Sequence, residues 1–254
     1  MDKKFLFNFK TTLSGLEVPI KLNNPFNSTV PEIAKIAATE FQDYIISESV
    51  NQNYDFQTQR SKMFGVLVVQ KKDGGYCYLG SVSGKLSDNI VFEKLIPSVF
   101  DESVGDFFID KGMKELGKIT IKIKRSENDV DVLSLKKERK QKSIGLQKRL
   151  FENYHFLNIS GEQKNILEIF KQSSHGFPPA ASGECAAPKL LQYAIKNQLK
   201  PVALTEFWWG SSMENKDREH KAYYPSCKNR CRPVLEYILE DVELFINREE
   251  TTEK

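Results

Sequence analysis

"SGECAAPKLLQYAIKNQLKPVALTEFWWG", residues 182–210, decides the fold. It reads as a loop, a helix and a strand in quick succession. "APKLLQYAIKNQ" (187–198) is the helix, and Pro188 is tolerated in its first turn, where an N–H has no intrahelical partner. "KPVALTEFWWG" (200–210) is the strand. Cys185 stands at the joint where loop becomes helix. A helix that hands the chain straight to a strand is the signature of an α/β layered domain.

Working outward, the same alternation appears on both sides. Downstream, "SSMENKDREHKAYYPSCKNRC" (211–231) reads as a polar loop carrying Cys227 and Cys231. "RPVLEYILEDVELFI" reads as a final helix, with Val234, Leu235, Ile238, Leu239 and Val242 on one face. Upstream, "MFGVLVVQKKDGGYCYLGSVSGKL" (63–86) is a hairpin. Asp73-Gly74-Gly75 supplies the turn, and the first strand is apolar on both faces, as a central strand must be. Cys77 lies inside the second strand and reads as a small core residue. Before the hairpin, "VPEIAKIAATEFQDYIISES" places Ile33, Ile36, Ala37, Phe41, Tyr44 and Ile45 at helical spacing, with Ser28 as the expected cap. Residues 1–28 read as short strands or irregular chain.

Between these parts, residues 105–174 change character: the segment is long, charged and helical in pattern. From Leu135 to Arg149 it carries Lys136, Lys137, Arg139, Lys140, Lys142, Lys148 and Arg149 against one acid, Glu138. A charged arm or helix pair projecting from the core is expected, followed by a short helix ending near His175. The seven cations suit RNA phosphates, although a charge run on a helix also serves as a plain solvated face.

Composition narrows the field. The chain has 254 residues, 40% hydrophobic and 28% charged, with a net charge of +3. That is an ordinary soluble composition. No run of about 18 apolar residues is present, so no membrane span is expected, and the N-terminus lacks a secretory apolar core. Four cysteines in such a length do not make a disulfide scaffold, which points to a reducing cytoplasm.

Cys185, Cys227 and Cys231 then stand out. In a helix–strand–helix unit both helices start at one sheet edge, so the three thiols converge although more than forty residues separate the first from the second. Helix N-termini favour the thiolate. Three cysteines with one open position suit a tetrahedral zinc site. Three unrelated thiols, or a Cys227–Cys231 disulfide, are the competing readings. His220 and His175 are candidates for the fourth position.

The order of elements resembles the zinc-dependent nucleobase deaminases, in which one ligand lies in an H-x-E or C-x-E segment and two in P-C-x-x-C. Two features depart from that pattern. Ala187 stands where the acid/base Glu belongs, and the pair spacing is one residue longer. Glu184, next to Cys185, is the substitute candidate. Trp208 and Trp209, at the end of the strand, could stack on splayed bases or pack the core.

A second resemblance covers about residues 5–240. "RSKMFGVLVVQ", "SVSGKL", "PSVFD", "FPPAASGECAAPKLLQYAIKNQLKPVALTEFWWG" and "YYPSCKNRCRPVLEYIL" look like the N-terminal region of long bacterial RluA-type pseudouridine synthases. In that family a catalytic domain with an H-R-L-D motif follows. The nearest fragment here, "QKRLFEN", lacks the Asp, so the resemblance implies an isomerase setting without that activity in these residues. It implies RNA modification of rRNA or tRNA, and a pseudouridine synthase catalytic domain as partner.

The expectation is therefore an α/β protein with a three-layer, cytidine-deaminase-like core. Residues 1–104 and 175–254 form the core, and 105–174 form a basic helical insertion. Its expected role is a non-catalytic zinc- and RNA-binding accessory domain. The alternatives are a zinc-dependent nucleobase deaminase with an atypical acid/base residue, and a protein-interaction module acting through the arm.

Overall fold

The computed structural model describes residues 3–87, 89–100, 102–126, 128–211 and 217–240. A 3-10 turn (Lys3–Phe5) precedes helix α1 (Glu32–Asn51) and strands β1 (Lys62–Gln70) and β2 (Tyr76–Val82). Helices α2 (Glu102–Arg125) and α3 (Asp129–Phe151) follow, then β3 (His155–Leu157), β4 (Gln163–Asn165) and α4 (Ile166–Lys171). The chain continues through α5 (Ala186–Lys196), β5 (Lys200–Trp209), β6 (Tyr223–Tyr224) and α6 (Arg232–Ile238).

The hairpin forms where the turn residues place it. Gly74 takes φ +86°, and the Asp73 carboxylate accepts the Gly75 N–H at 2.9 Å. β1 pairs antiparallel with β2 on one side and with β5 on the other, and β6 pairs with β5. The sheet order is β2-β1-β5-β6, so the apolar strand is internal. β3 and β4 make a separate two-stranded sheet.

Strand alternation divides the core. Phe64, Val66, Val68, Ala203, Phe207 and Trp209 join a cluster with Ile33, Ala37, Phe41 and Ile45 of α1. Leu67, Val69, Leu79 and Leu204 join the opposite cluster with Leu190, Leu191, Val234 and Leu235. Helices thus cover both faces of the sheet, and the chain is mixed α/β. Gly80 permits the α1 contact: a Cβ there would lie 2.2 Å from the Phe41 ring. The N-terminal segment is tied down by Glu40, whose carboxylate accepts the N–H of Lys10 at 3.0 Å and of Thr11 at 2.8 Å.

Three local expectations change. Pro31, not Ser28, precedes the first helical residue, and it holds ψ at 145° with no side-chain cap. Its ring disfavours helix in the residue before it, so the helix cannot reach back towards Ser28. The insertion is a helix pair, but its far end returns earlier than residue 174. Phe156, Ile166, Ile169 and Phe170 are buried in the cluster beneath α5 and α6, because this stretch offers that cluster an apolar face. The projecting part is α2 and α3, which pack on each other, with Leu146 against Gly112. The sequence expected one polar loop before Cys227, and β6 forms within it. Val242 and the rest of the expected final helix beyond residue 240 lie outside the described residues.

Among the described residues no helix is long and apolar enough to cross a membrane.

Candidate functional site

Two chain segments bring the cysteines together. Cys185 is the N-cap residue of α5, with extended backbone (φ −68°, ψ 160°) and no side-chain capping bond, so its sulfur is not used to start the helix. The preceding loop is pinned to the end of the hairpin. Gly84 N–H donates to the Glu184 carbonyl at 2.7 Å, and Ala186 N–H to the Ser83 hydroxyl at 3.3 Å. Gly183 takes φ +85° under the Phe156 ring, 2.7 Å from where a Cβ would sit. Opposite, Cys231 is the N-cap of α6, again without a capping bond, and Pro233 lies in the first turn. Ser226 N–H donates to the Pro25 carbonyl at 2.8 Å, which fixes the approach to Cys227.

The chain between the paired cysteines folds into a turn that aims N–H groups at sulfur. Arg230 N–H reaches Cys227 Sγ at 3.4 Å, and Cys231 N–H also bonds to it. Each of the three thiols interacts with both of the others. Bonds from Cys185 and then Cys231 hold the Cys227 thiol well below its ordinary range, with the two N–H groups assisting. Cys185 is pushed strongly up, because it serves as donor to Cys227 and then to Cys231, and is buried. For Cys231, the lowering bond with Cys185 is outweighed by the bond with Cys227 and by burial, and it rises to about 12. The three sulfurs and two backbone N–H groups therefore form one hydrogen-bonded cluster centred on Cys227.

Three soft sulfurs are the donor chemistry that zinc prefers. Their arrangement is that of thiols bonded to one another. Among the described residues no group of three or more His, Cys, Asp or Glu side chains has the geometry of a metal-holding set.

A residue that sequence reasoning passed over lies beside them. Glu206 sits in β5 on the face that carries Leu204 and packs on α5, and it is 4% exposed. It accepts the Ser226 hydroxyl and the Ala187 N–H at the start of α5. Burial, outweighing both bonds, lifts its carboxyl to about 7. Gly65, its partner across β1, lets it approach: a Cβ on Gly65 would lie 2.8 Å from Ala186 Cβ and 3.3 Å from Glu206 Cγ. The available signal was an acid in the core-facing alternation of an apolar strand.

Cys185, Cys227 and Glu206 line an open cleft of about 790 Å³. Its walls carry Arg60, Lys62, Lys85, Arg218, Lys228 and Arg230, together with Trp208. These cations come from four separate stretches of sequence, so no charge run announces them. Arg218 lies over the Tyr224 ring at 4.0 Å, and its Nη1 is buried without a hydrogen-bond partner. Glu184 also borders the cleft, but one carboxylate oxygen accepts the hydroxyls of both Ser98 and Tyr154.

The remaining candidates lie elsewhere. The tryptophans part company, as strand alternation requires. Trp208 faces the cleft, with its indole N–H donating to the Ser211 carbonyl at 3.2 Å, and Trp209 is buried against Phe207 on the α1 side. His220 packs against Trp209, with ring centroids 4.4 Å apart and planes tilted by 55°, its Nδ1 accepts the Gly210 N–H, and burial lowers its pKa. His175 sits beside Phe170 after α4. Neither histidine is among the residues lining the cleft. On the arm, Lys136, Lys137, Lys140 and Lys148 are exposed. Arg139 donates to Thr120, Lys142 pairs with Glu115 and Glu138, and Arg149 lies over Phe108. Part of the arm's charge thus holds its two helices together.

Compared with known proteins, the chain matches no family model, no curated protein and no solved structure.

Proposed function

We propose that the chain is a zinc- and RNA-binding accessory domain working in RNA modification, alongside a pseudouridine synthase catalytic domain of the RluA type. Cys185, Cys227 and Cys231 hold the metal, which joins the starts of α5 and α6 within a core of the nucleobase-deaminase kind. One observation carries the reading: two of three mutually facing thiols, Cys185 and Cys227, border a cleft that also presents six cations and an aromatic ring, with Cys231 buried behind them. Zinc bound there would fix the two helix starts. The cations suit a phosphate backbone, and Trp208 suits an unstacked base. The exposed lysines of α3 extend the same charge outward.

The test is RNA binding measured against salt concentration. Arg60→Glu with Lys85→Glu reverses charge in the cleft, and Lys136→Glu with Lys137→Glu and Lys140→Glu reverses it on the arm. Each set is expected to weaken single-stranded RNA binding and flatten its salt dependence, by about one unit of slope per lost phosphate contact. Binding indifferent to both sets, or purified protein devoid of zinc, defeats the proposal.

A further inference from the structure

The arm carries more than charge. Helices α2 and α3 run antiparallel, with Gly112 against Leu146 and the Arg139 guanidinium donating to the Thr120 hydroxyl. Glu115 and Lys142 pair across one flank at 3.5 Å. Successive helical residues stand about 100° apart, so a residue two places before or after another faces almost the opposite way. Met113 and Gly117 are two places from Glu115, and Lys140 and Ile144 are two places from Lys142. All four therefore turn to the other flank. Ile121, one turn on from Gly117, and Leu133, two turns before Lys140, extend the two lines. Met113, Ile121, Leu133 and Ile144 are 49–68% exposed. An aliphatic side chain alone on a surface asks for no explanation, but four in two neighbouring lines do. Between them lies a hollow, for nothing is within 4 Å of a Cβ placed on Gly117. Packed helix axes lie about 8–10 Å apart, so the two lines flank a trough fit for a third helix.

Charge selects the occupant. Residues 111–149 hold thirteen Lys and Arg against five Asp and Glu, a balance of +8 in a chain whose net charge is +3. Within 113–124 and 133–144 the only acids are Glu115 and Glu138, and both pair with Lys142. Lys124, Lys136 and Lys140 stand exposed beside the trough. A second copy of the chain would bring like charge to like, and RNA phosphates make no use of aliphatic side chains. We infer that the α2–α3 trough docks an acidic amphipathic helix of a partner protein, laid along the pair to complete a three-helix bundle. The partner's apolar residues, at i, i+3 or i+4 and i+7, meet Met113, Ile121, Leu133 and Ile144. Its Asp and Glu residues meet Lys124, Lys136 and Lys140. Leu133 and Ile144 are eleven residues apart, about 17 Å along the axis, so the partner needs about three turns. Gly117 lets its backbone come close. The inference goes beyond the zinc and RNA readings, neither of which uses the apolar residues of the arm.

The test selects binders to the full chain from a phage-displayed library of random peptides about four helical turns long. Enriched sequences are expected to place apolar residues at i, i+3 or i+4 and i+7, with Asp or Glu on either side. A synthetic peptide of the enriched sequence should gain helicity on binding, read by circular dichroism. Its affinity should fall at least about tenfold when Met113→Ser, Leu133→Ser and Ile144→Ser are combined, a change that alters no charge. The three residues are exposed, so the melting temperature should hold. Gly117→Gln fills the hollow with a better helix former, and should weaken binding as much while stability stays at or above wild type. Lys136→Glu with Lys140→Glu should also cost about tenfold, and a peptide with its acids exchanged for lysine should recover part of the loss. Enriched peptides that lack acids, or that bind the serine and glutamine variants as tightly as the wild type, overturn the inference. It fails equally if no peptide is enriched, or if the serine variant instead loses self-association in sedimentation or binding to phosphatidylserine vesicles.

Discussion

Gly65→Ala probes how closely the site is assembled. The added Cβ would stand 2.8 Å from Ala186 Cβ and 3.3 Å from both Glu206 Cγ and Leu190 Cδ1. Carbon atoms rest at about 3.5–4.0 Å, so the start of α5 must retreat from β1 by several tenths of an ångström or more. Ala186 and Leu190 are fully buried, which leaves little room to yield. Overpacking of this kind costs about 1–3 kcal/mol. Replacing glycine by alanine also narrows the unfolded ensemble, worth about 0.4–1 kcal/mol in the other direction. The net expectation is a destabilisation of about 1–2 kcal/mol, seen in urea as a lower midpoint with an unchanged slope. Gly117→Ala is the control, because nothing lies within 4 Å of a Cβ there and the residue is helical, so it should stabilise slightly. Ala186→Gly removes the atom in the way. A double-mutant cycle with Gly65→Ala should return a favourable coupling of at least about 0.5 kcal/mol. A Gly65→Ala protein as stable as the wild type, or a cycle with no coupling, refutes the claim that this glycine admits α5 to the sheet.

Other outcomes follow from the same structure. Cys185→Ser should lower zinc content and melting temperature together. A loss of about 3 kcal/mol corresponds to roughly 6–12 °C for a chain of this size, read by calorimetry beside elemental analysis. Gly80→Ala drives a methyl into the buried Phe41 ring, at 2.2 Å, and should cost about 3 kcal/mol or prevent folding, assessed by circular dichroism. His220 carries a pKa lowered by burial. Its contribution to stability is therefore present above the unfolded value of about 6.5 and lost as pH falls through the lower folded value. Protonation beside Trp209 should quench fluorescence of a Trp208→Phe protein below that pH, and His220→Gln should abolish the change.

Sequence carried the framework where local chemistry dictates it. Asp73-Gly74-Gly75 forces the hairpin, two-faced apolarity forces β1 to the centre, and Pro188 marks the first turn of α5. The convergence of Cys185 with Cys227 and Cys231 was legible because two helix starts beside one strand must share an edge. What escaped was assembled by tertiary contact. Glu206 looks like an ordinary polar residue until its register opposite Gly65 places it beside the thiols. The cleft cations are scattered singly, and only folding gathers them. Adjacent tryptophans looked like a pair, yet neighbouring strand residues face opposite ways, so one lines the cleft and one fills the core. The return of residues 155–171 to the core was masked by the charged segment before it.

The helix pair has a consequence for how the chain is assembled and how it evolves. Phe100, before α2, stacks on Tyr154, just after α3, with centroids 5.4 Å apart and rings 8° from parallel. The chain therefore leaves the core and comes back through one narrow doorway. At 1.5 Å per residue, the 24 residues of α2 extend about 36 Å beyond it. A segment entered and left at one point is an insertion that can lengthen, shorten or be exchanged without disturbing the sheet. The reach of this protein can thus drift independently of the sheet to which the arm is joined.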